Sequence, residues 1–363
     1  METISRRRFL RGGMALTAGL GTAYLLGCGS EDPPRDGSPA TTAGPSEGQS
    51  PAGTGRPTWS QVQPLGTIPP ARRDHSLVID SEGRMVFLFG GRAGSQQLDD
   101  LWAYDVAANT WTQLAPAGAF PPARFGHNAV FDAAGARMLV FGGQAGGSFF
   151  NDIWAYGVRD NSWRSLSASG PSPRYGAGGA GVSGSLYLSH GFTDRGRFDD
   201  TWAFSLTNDQ WTEVSPGQGG RPVKRCLMRI VDDPQRGRVL LYGGQTDGTP
   251  FLGDLWSYDI AARSWRELAA QGPSARNLYS WVRRGDTSQL LLFGGRTPAG
   301  DSGELWSFEP GTDRWEQLNA EGMAPSARNG HDAVWLPARK AMFVFGGRDS
   351  DGDLSDSWEL AFS

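Results

Sequence analysis

Six arginines recur along this sequence at nearly constant intervals: Arg72, Arg124, Arg174, Arg225, Arg276 and Arg328, spaced 50 to 52 residues apart. A guanidinium grips carboxylate, phosphate or sulfate through two parallel hydrogen bonds. Six of them around one mouth would form a basic ring for an anionic ligand. An acid recurs in the same register, at Asp100, Asp152, Asp200, Asp254, Glu304 and Asp356. Six acids can neutralise six arginines and simply hold structure together, so the pattern allows two chemistries, a ligand site and a set of internal ion pairs.

Three histidines, His75, His127 and His331, each lie three residues after one of these arginines. Converging imidazoles would hold zinc, copper or iron, so these three are the candidate ligands for a transition metal. The run Asp349-Ser350-Asp351-Gly352-Asp353 alternates carboxylates as a calcium loop does, but Leu354 and Leu360 stand where such a loop needs Gly and Glu. A polar turn fits it better. Phe149, Phe150, Phe198 and Phe251 fall in presumptive loops, where apolar rings beside a charged mouth suit a peptide or a sugar face. There is no Gly-rich loop ending in Lys-Ser/Thr, no Gly-x-Ser-x-Gly and no His-Glu-x-x-His.

What positions these residues is a repeat. A Gly-Gly pair closes an apolar run at Gly90-Gly91, Gly142-Gly143, Gly243-Gly244, Gly294-Gly295 and Gly346-Gly347, with His190-Gly191 as a sixth, altered copy. An acid-x-Trp follows each, at Trp102, Trp154, Trp202, Trp256, Trp306 and Trp358, and five of the six copies have a second Trp nine residues on. Each period contains four short apolar segments with β-branched and aromatic alternation, separated by Gly, Asn and Asp. Four strands per period of about 50 residues is one blade of a propeller. The sixth copy stops at Ser363 without a second Trp, and the missing strand stands at the other end of the domain, around Trp59. The expected fold is therefore all-β, a six-bladed propeller whose last blade is completed by the N-terminal strand, leaving no open sheet edge.

The Gly-Gly pairs, the spaced aromatics and the period resemble the Kelch repeat, over residues 57–363. The resemblance implies a propeller of the kind shared with the central domain of galactose oxidase. In animal Kelch adaptors, arginines at matching repeat positions contact acidic peptides, which supports the ligand reading of the ring. The family also holds enzymes. A copper oxidase would need a crosslinked Cys–Tyr pair, for which Cys226 and Tyr279 are the candidates, but no Tyr-His dipeptide is present. With no catalytic motif, the expected function is a non-catalytic module binding a protein or glycan partner, anionic in character, through the six arginines and four phenylalanines, without a cofactor. The alternative is an enzyme: a metal-dependent oxidase or lyase built on His75, His127 and His331, or a metal-free sugar epimerase.

The N-terminus reads as an address. Ser5-Arg6-Arg7-Arg8-Phe9-Leu10 before a short apolar run resembles a twin-arginine export signal, and Leu25-Leu26-Gly27-Cys28 resembles a lipobox, with Leu26 larger than usual. The expected organisation is a signal peptide over 1–27, a lipidated Cys28 with a Pro/Gly/Ser/Thr-rich tether over 28–56, and the propeller over 57–363. With Cys28 acylated, Cys226 would have no intrachain partner. The net charge of −4 becomes −7 once residues 1–27 are removed, which disfavours nucleic acid as a partner. A monomer on the cell envelope, held to the membrane by its lipid, is expected.

Overall fold

The computed structural model describes residues 55–166, 169–217 and 219–363. The signal peptide, the acyl site at Cys28 and the tether up to residue 54 lie outside the described residues. Within them the chain forms six main sheets, five of them with four antiparallel strands paired in sequence order from the innermost outward, together with four two-stranded hairpins. Blade 1 consists of Ser76–Ile79, Met85–Phe89, Leu101–Asp105 and Thr110–Leu114. Blades 2 to 5 repeat this plan. Blade 6 takes three strands from the C-terminus, Asp332–Leu336, Ala341–Phe345 and Ser357–Ala361, and its fourth is Thr58–Val62. That N-terminal strand pairs over its whole length with the C-terminal one, from Thr58 opposite Ala361 to Val62 opposite Ser357. The expected closure is therefore present. One addition was not foreseen: Glu321–Gly322 pairs in parallel with Thr58 and Trp59 as a short fifth strand on the outer edge.

The second strand of each blade is buried on both faces, which explains why it reads as an unbroken apolar run. In Arg137–Phe141, Met138 and Val140 join a core cluster shared with blade 1, while Leu139 and Phe141 join one shared with blade 3. Successive side chains thus feed opposite neighbours, as the two-residue period of a strand requires. The core among the described residues consists of six such clusters, one in each seam between blades, and a seventh under the loops of blades 2 to 4.

The Gly-Gly pair sits where two blades meet. Gly142 and Gly143 both have positive φ, +68° and +94°. A methyl on Gly142 would lie 2.9 Å from the Arg174 carbonyl of blade 3, and one on Gly143 would lie 2.9 Å from the Cβ of His127. Both the conformation and the close approach demand glycine. Blade 3 breaks the rule with His190 at the first position, held at φ +63°.

Candidate functional site

The loops joining blades and the hairpins after the Gly-Gly pairs share one face, and the arginines lie at its inner edge. They are placed as clamps. All six are essentially fully buried, and the acid each one meets belongs to its own blade. In blade 2, Arg124 donates from Nη1 to Asp152 Oδ1 at 2.7 Å and from Nη2 to Oδ2 at 2.9 Å. The same Nη1 also donates to the Gly142 carbonyl at 3.0 Å, and Nε donates to the Pro122 carbonyl at 3.0 Å. Four of the five guanidinium protons are thereby used. The indole of Trp154 donates to Asp152 Oδ2 at 2.7 Å, which is the physical content of the acid-x-Trp motif. Burial alone would raise the carboxyl of Asp152, but the hydrogen bonds and charge of Arg124 outweigh it and hold the group below the ordinary carboxylate range. Asp100, Asp200 and Asp254 behave alike with Arg72, Arg174 and Arg225. Of the two chemistries the sequence allows, the geometry builds the ion pair, and Arg72, Arg124, Arg174, Arg225, Arg276 and Arg328 present no open face to a ligand.

The phenylalanines complete the clamps. Phe150 lies over the Arg124 guanidinium at 4.3 Å and Phe198 over that of Arg174 at 4.1 Å. Phe149 packs edge-on against Phe192, and Phe251 is half-buried. None of the four stands out from the loops as a free platform.

The histidines lie around the same axis but are not gathered as a metal-ligand set. His127 sits in the seam with blade 1, against Phe89, and its Nε2 shares a hydrogen bond of 2.8 Å with Ser76 Oγ. His331 does the same with Phe293 and Ser280 of blade 5, and His75 packs on Phe345 of blade 6. Each imidazole belongs to a different seam. Among the described residues no group of three or more His, Cys, Asp or Glu side chains is placed to hold a metal. The expected metal set of His75, His127 and His331 is corrected on this ground. Desolvation, reinforced by the nearby guanidinium of Arg124, pushes His127 down to about 3, so it is neutral. Tyr279 is spent on the Tyr242 carbonyl, and Cys226 lies in the seventh apolar cluster. Cys226 is not a free thiol, against the expectation that it has no partner. Asp349 accepts from Ser326 of its own blade, and Asp353 is engaged across the seam by Arg73 and the Gly94 amide of blade 1.

Sequence reasoning missed how the axis is closed. Two residues after each arginine stand Asp74, Gly126, Gly176, Leu227, Leu278 and Gly330, all with φ between +54° and +63°. Each N–H donates to the carbonyl of its counterpart in the preceding blade, at 2.8 to 3.2 Å, and the six bonds close on themselves around the axis. Glycine at three of the six positions was the signal in the sequence. Beneath the ring lies a cavity of about 50 Å³, lined among others by His75, His127, Asn128, Tyr175 and Arg229. Arg229 reaches across from blade 4 to Asp332 of blade 6 at 3.1 Å.

The exposed apolar surface was also missed. The large hydrophobics that stand out are Leu65 (63% exposed), Ile68 (38%), Phe120 (55%), Val223 (55%) and Met323 (71%). All five fall in segments that carry the chain from the outermost strand of one blade to the innermost strand of the next. The stretches 63–71 and 115–123 contain no charged residue at all, in a chain that is 20% charged.

Comparison with known proteins agrees with this architecture. The family model for the KLHDC2/KLHL20/DRC7 Kelch-repeats domain matches residues 53–233 and 218–363. Kelch domain-containing protein 10 of Homo sapiens is 30% identical over 241 residues, covering 59% of this chain and 53% of that protein. Leucine-zipper-like transcriptional regulator 1 homolog of Drosophila melanogaster is 28% identical over 221 residues, covering 58% of this chain and 22% of that one. Host cell factor 1 of Mus musculus is 28% identical over 270 residues, or 67% and 13%. The matched region spans about half of the first of these relatives and much less of the other two.

Proposed function

From a chain that belongs to the Kelch-repeat family, we propose a non-catalytic binding module, exported to the cell envelope, that takes a protein partner on its loop face. The observation that carries this reading is the placement of Ile68, Phe120 and Val223, with Leu65 and Met323 further out beside the outermost strands of the next blades. Among the described residues these five are the large apolar side chains left exposed, and all are in inter-blade segments. Exposed apolar groups, three of them in segments without charge (Leu65, Ile68 and Phe120), suit a protein surface better than a glycan, which needs aromatic platforms and polar partners. The buried arginines fix the loops that display these side chains and do not themselves form the site.

The test is site-specific photocrosslinking in the native envelope. A crosslinker at Phe120 is expected to yield a discrete adduct, and one at the exposed Arg159, in a turn at the opposite ends of the strands, is expected to yield none. Equal labelling from both positions would remove the loop face as the site.

A further inference from the structure

All four histidines of the chain serve the seams between blades. His331 lies between blades 5 and 6, His75 between 6 and 1, His127 between 1 and 2, and His190, against Trp265, between 3 and 4. The fit of the first three is close. A methyl on the first glycine of the preceding blade's pair would lie 2.7 to 3.3 Å from the Cε1 of each ring. Each imidazole is a wedge whose room is set by a neighbouring blade.

Blade 6 is bracketed by two of these wedges, and it is also the blade closed by the N-terminal strand. Release of Thr58–Val62 from Ser357–Ala361 parts the ring there without breaking a covalent bond. In the seam with blade 1 neither ring nitrogen of His75 has a partner, and the cross-seam hydrogen bonds come from Asp353 with Arg73 and the Gly94 amide and from Asp332 with the Leu77 amide. His331 uses only Nε2, on Ser280. No idle carboxylate waits for a proton on either ring. His75 faces Arg72 of its own blade, Arg229 across the axis, and His331 and His127. The nearby Asp74 is held by Arg92. His331 faces Arg328 and Arg229. Asp332, beside it, is engaged by Arg229 and by the Leu77 amide.

We propose that the two seams flanking blade 6 form an acid-opened clasp, in which His75 and His331 take up protons as blade 6 parts from its neighbours. In the closed ring, burial and then the neighbouring guanidinium groups keep both imidazoles neutral, with proton affinities well below the ordinary value of 6.5. In the parted state both recover that value. The parted state therefore binds more protons, and closure, fully stable above pH 6.5, is lost as pH falls below it. Each histidine multiplies the parted population by about eight between pH 6 and pH 5, so two give about 60-fold. Release of blade 2, 3, 4 or 5 frees one histidine each. Blade 1 also meets two, but its four strands form one continuous stretch with no chain end to unzip.

Hydrogen exchange on the intact protein at pH 6 and pH 5, corrected for intrinsic exchange, tests this. Amides of Thr58–Val62 and Ser357–Ala361 are expected to lose about 60-fold in protection, and those of Ser185–Ser189 in blade 3 less than about tenfold. In His75→Phe the loss at blade 6 is expected to shrink to about eightfold. An equal loss in all blades, or none at blade 6, overturns the clasp. Should the variant fail to fold, the ratio between blades 6 and 3 in the unaltered protein decides alone.

Discussion

Two positions on the same stretch of each repeat behave in opposite ways. At the clamp, all six blades carry arginine. Three residues later, the same six stretches carry His75, His127, Ala177, Met228, Tyr279 and His331. The difference lies in what each side chain meets. The clamp closes on an acid and a backbone carbonyl of its own blade, and the blades repeat this plan with two departures, the His190 carbonyl in place of a glycine in blade 3 and Glu304 in place of Asp in blade 5. The later residue enters the seam, where it meets the end of another blade's second strand, and the space there differs from seam to seam. Contacts within a blade repeat, whereas contacts between blades are settled pair by pair.

The comparison is broken most severely at the clamp. Arg328→Ala leaves Asp356 without its two guanidinium bonds of 2.7 and 2.8 Å and the Gly346 carbonyl without its donor. Removing one partner of a buried ion pair costs about 3–5 kcal/mol, and urea denaturation should show a loss of that size. Arg276→Ala should cost less. Its acid is Glu304, whose side chain is 39% exposed against 21% for Asp356, so water can take over part of the lost role. Arg84→Ala, at an ion pair that is 72% exposed on the arginine side, should change stability by less than about 1 kcal/mol. An unchanged midpoint for Arg328→Ala would mean that the ring arginines are not structural and would reopen their ligand role.

The glycine pair is next. Gly243 has φ +62°, and an added Cβ would lie 2.5 Å from the Arg276 carbonyl of blade 5. Gly243→Ala combines a left-handed backbone with a backbone clash and should cost about 2–4 kcal/mol. Gly248→Ala, where a Cβ meets nothing within 4 Å, should stay within about 0.5 kcal/mol. Similar midpoints for the two would show that the seams have slack.

A smaller effect separates the two kinds of contact directly. The Tyr258 hydroxyl donates across the seam from blade 4 to the Val214 carbonyl of blade 3 at 2.6 Å. Tyr258→Phe deletes only this bond and should cost about 1 kcal/mol, measured by urea denaturation at pH 7. The Tyr156 hydroxyl, on the same strand position of blade 2, donates to the exposed Asn161 of its own blade at 2.9 Å. Tyr156→Phe should cost less, since water can replace that partner. A larger loss for Tyr156→Phe would invert the order.

These contrasts explain what could be read from the sequence. Blade number, strand order and ring closure were legible because Gly-Gly, acid-x-Trp and the clamp arginine depend on geometry within one repeat, which recurs six times. The pairing of Arg124 with Asp152 could be read as an option for the same reason. What sequence could not decide was orientation across seams. His75, His127 and His331 share a repeat position, and that alone suggested convergence on the axis. The side chains turn sideways into three different seams, because a residue at that point of the strand faces a neighbouring blade. The ring of hydrogen bonds through Asp74, Leu227 and Leu278 was hidden because those three residues do not favour the left-handed conformation they adopt. Only the tertiary bonds around the axis hold them there.

The exposed loops stand outside both rules, and there the expected change in stability is smallest. Phe120 is 55% exposed in a loop without charge, and it closes no seam and caps no clamp. Phe120→Ser should leave the urea midpoint within about 0.5 kcal/mol of the parent. If the loop face binds a protein, the same substitution should remove most of the adduct formed from a crosslinker placed at Ile68 on the adjacent inter-blade loop, because hot spots at interfaces are concentrated in a few large side chains. A drop in stability with no change in the adduct would move Phe120 from the binding surface to the fold. Unchanged stability with a lost adduct would make the loops a third class of position, fixed neither by the blade nor by the seam but by a partner.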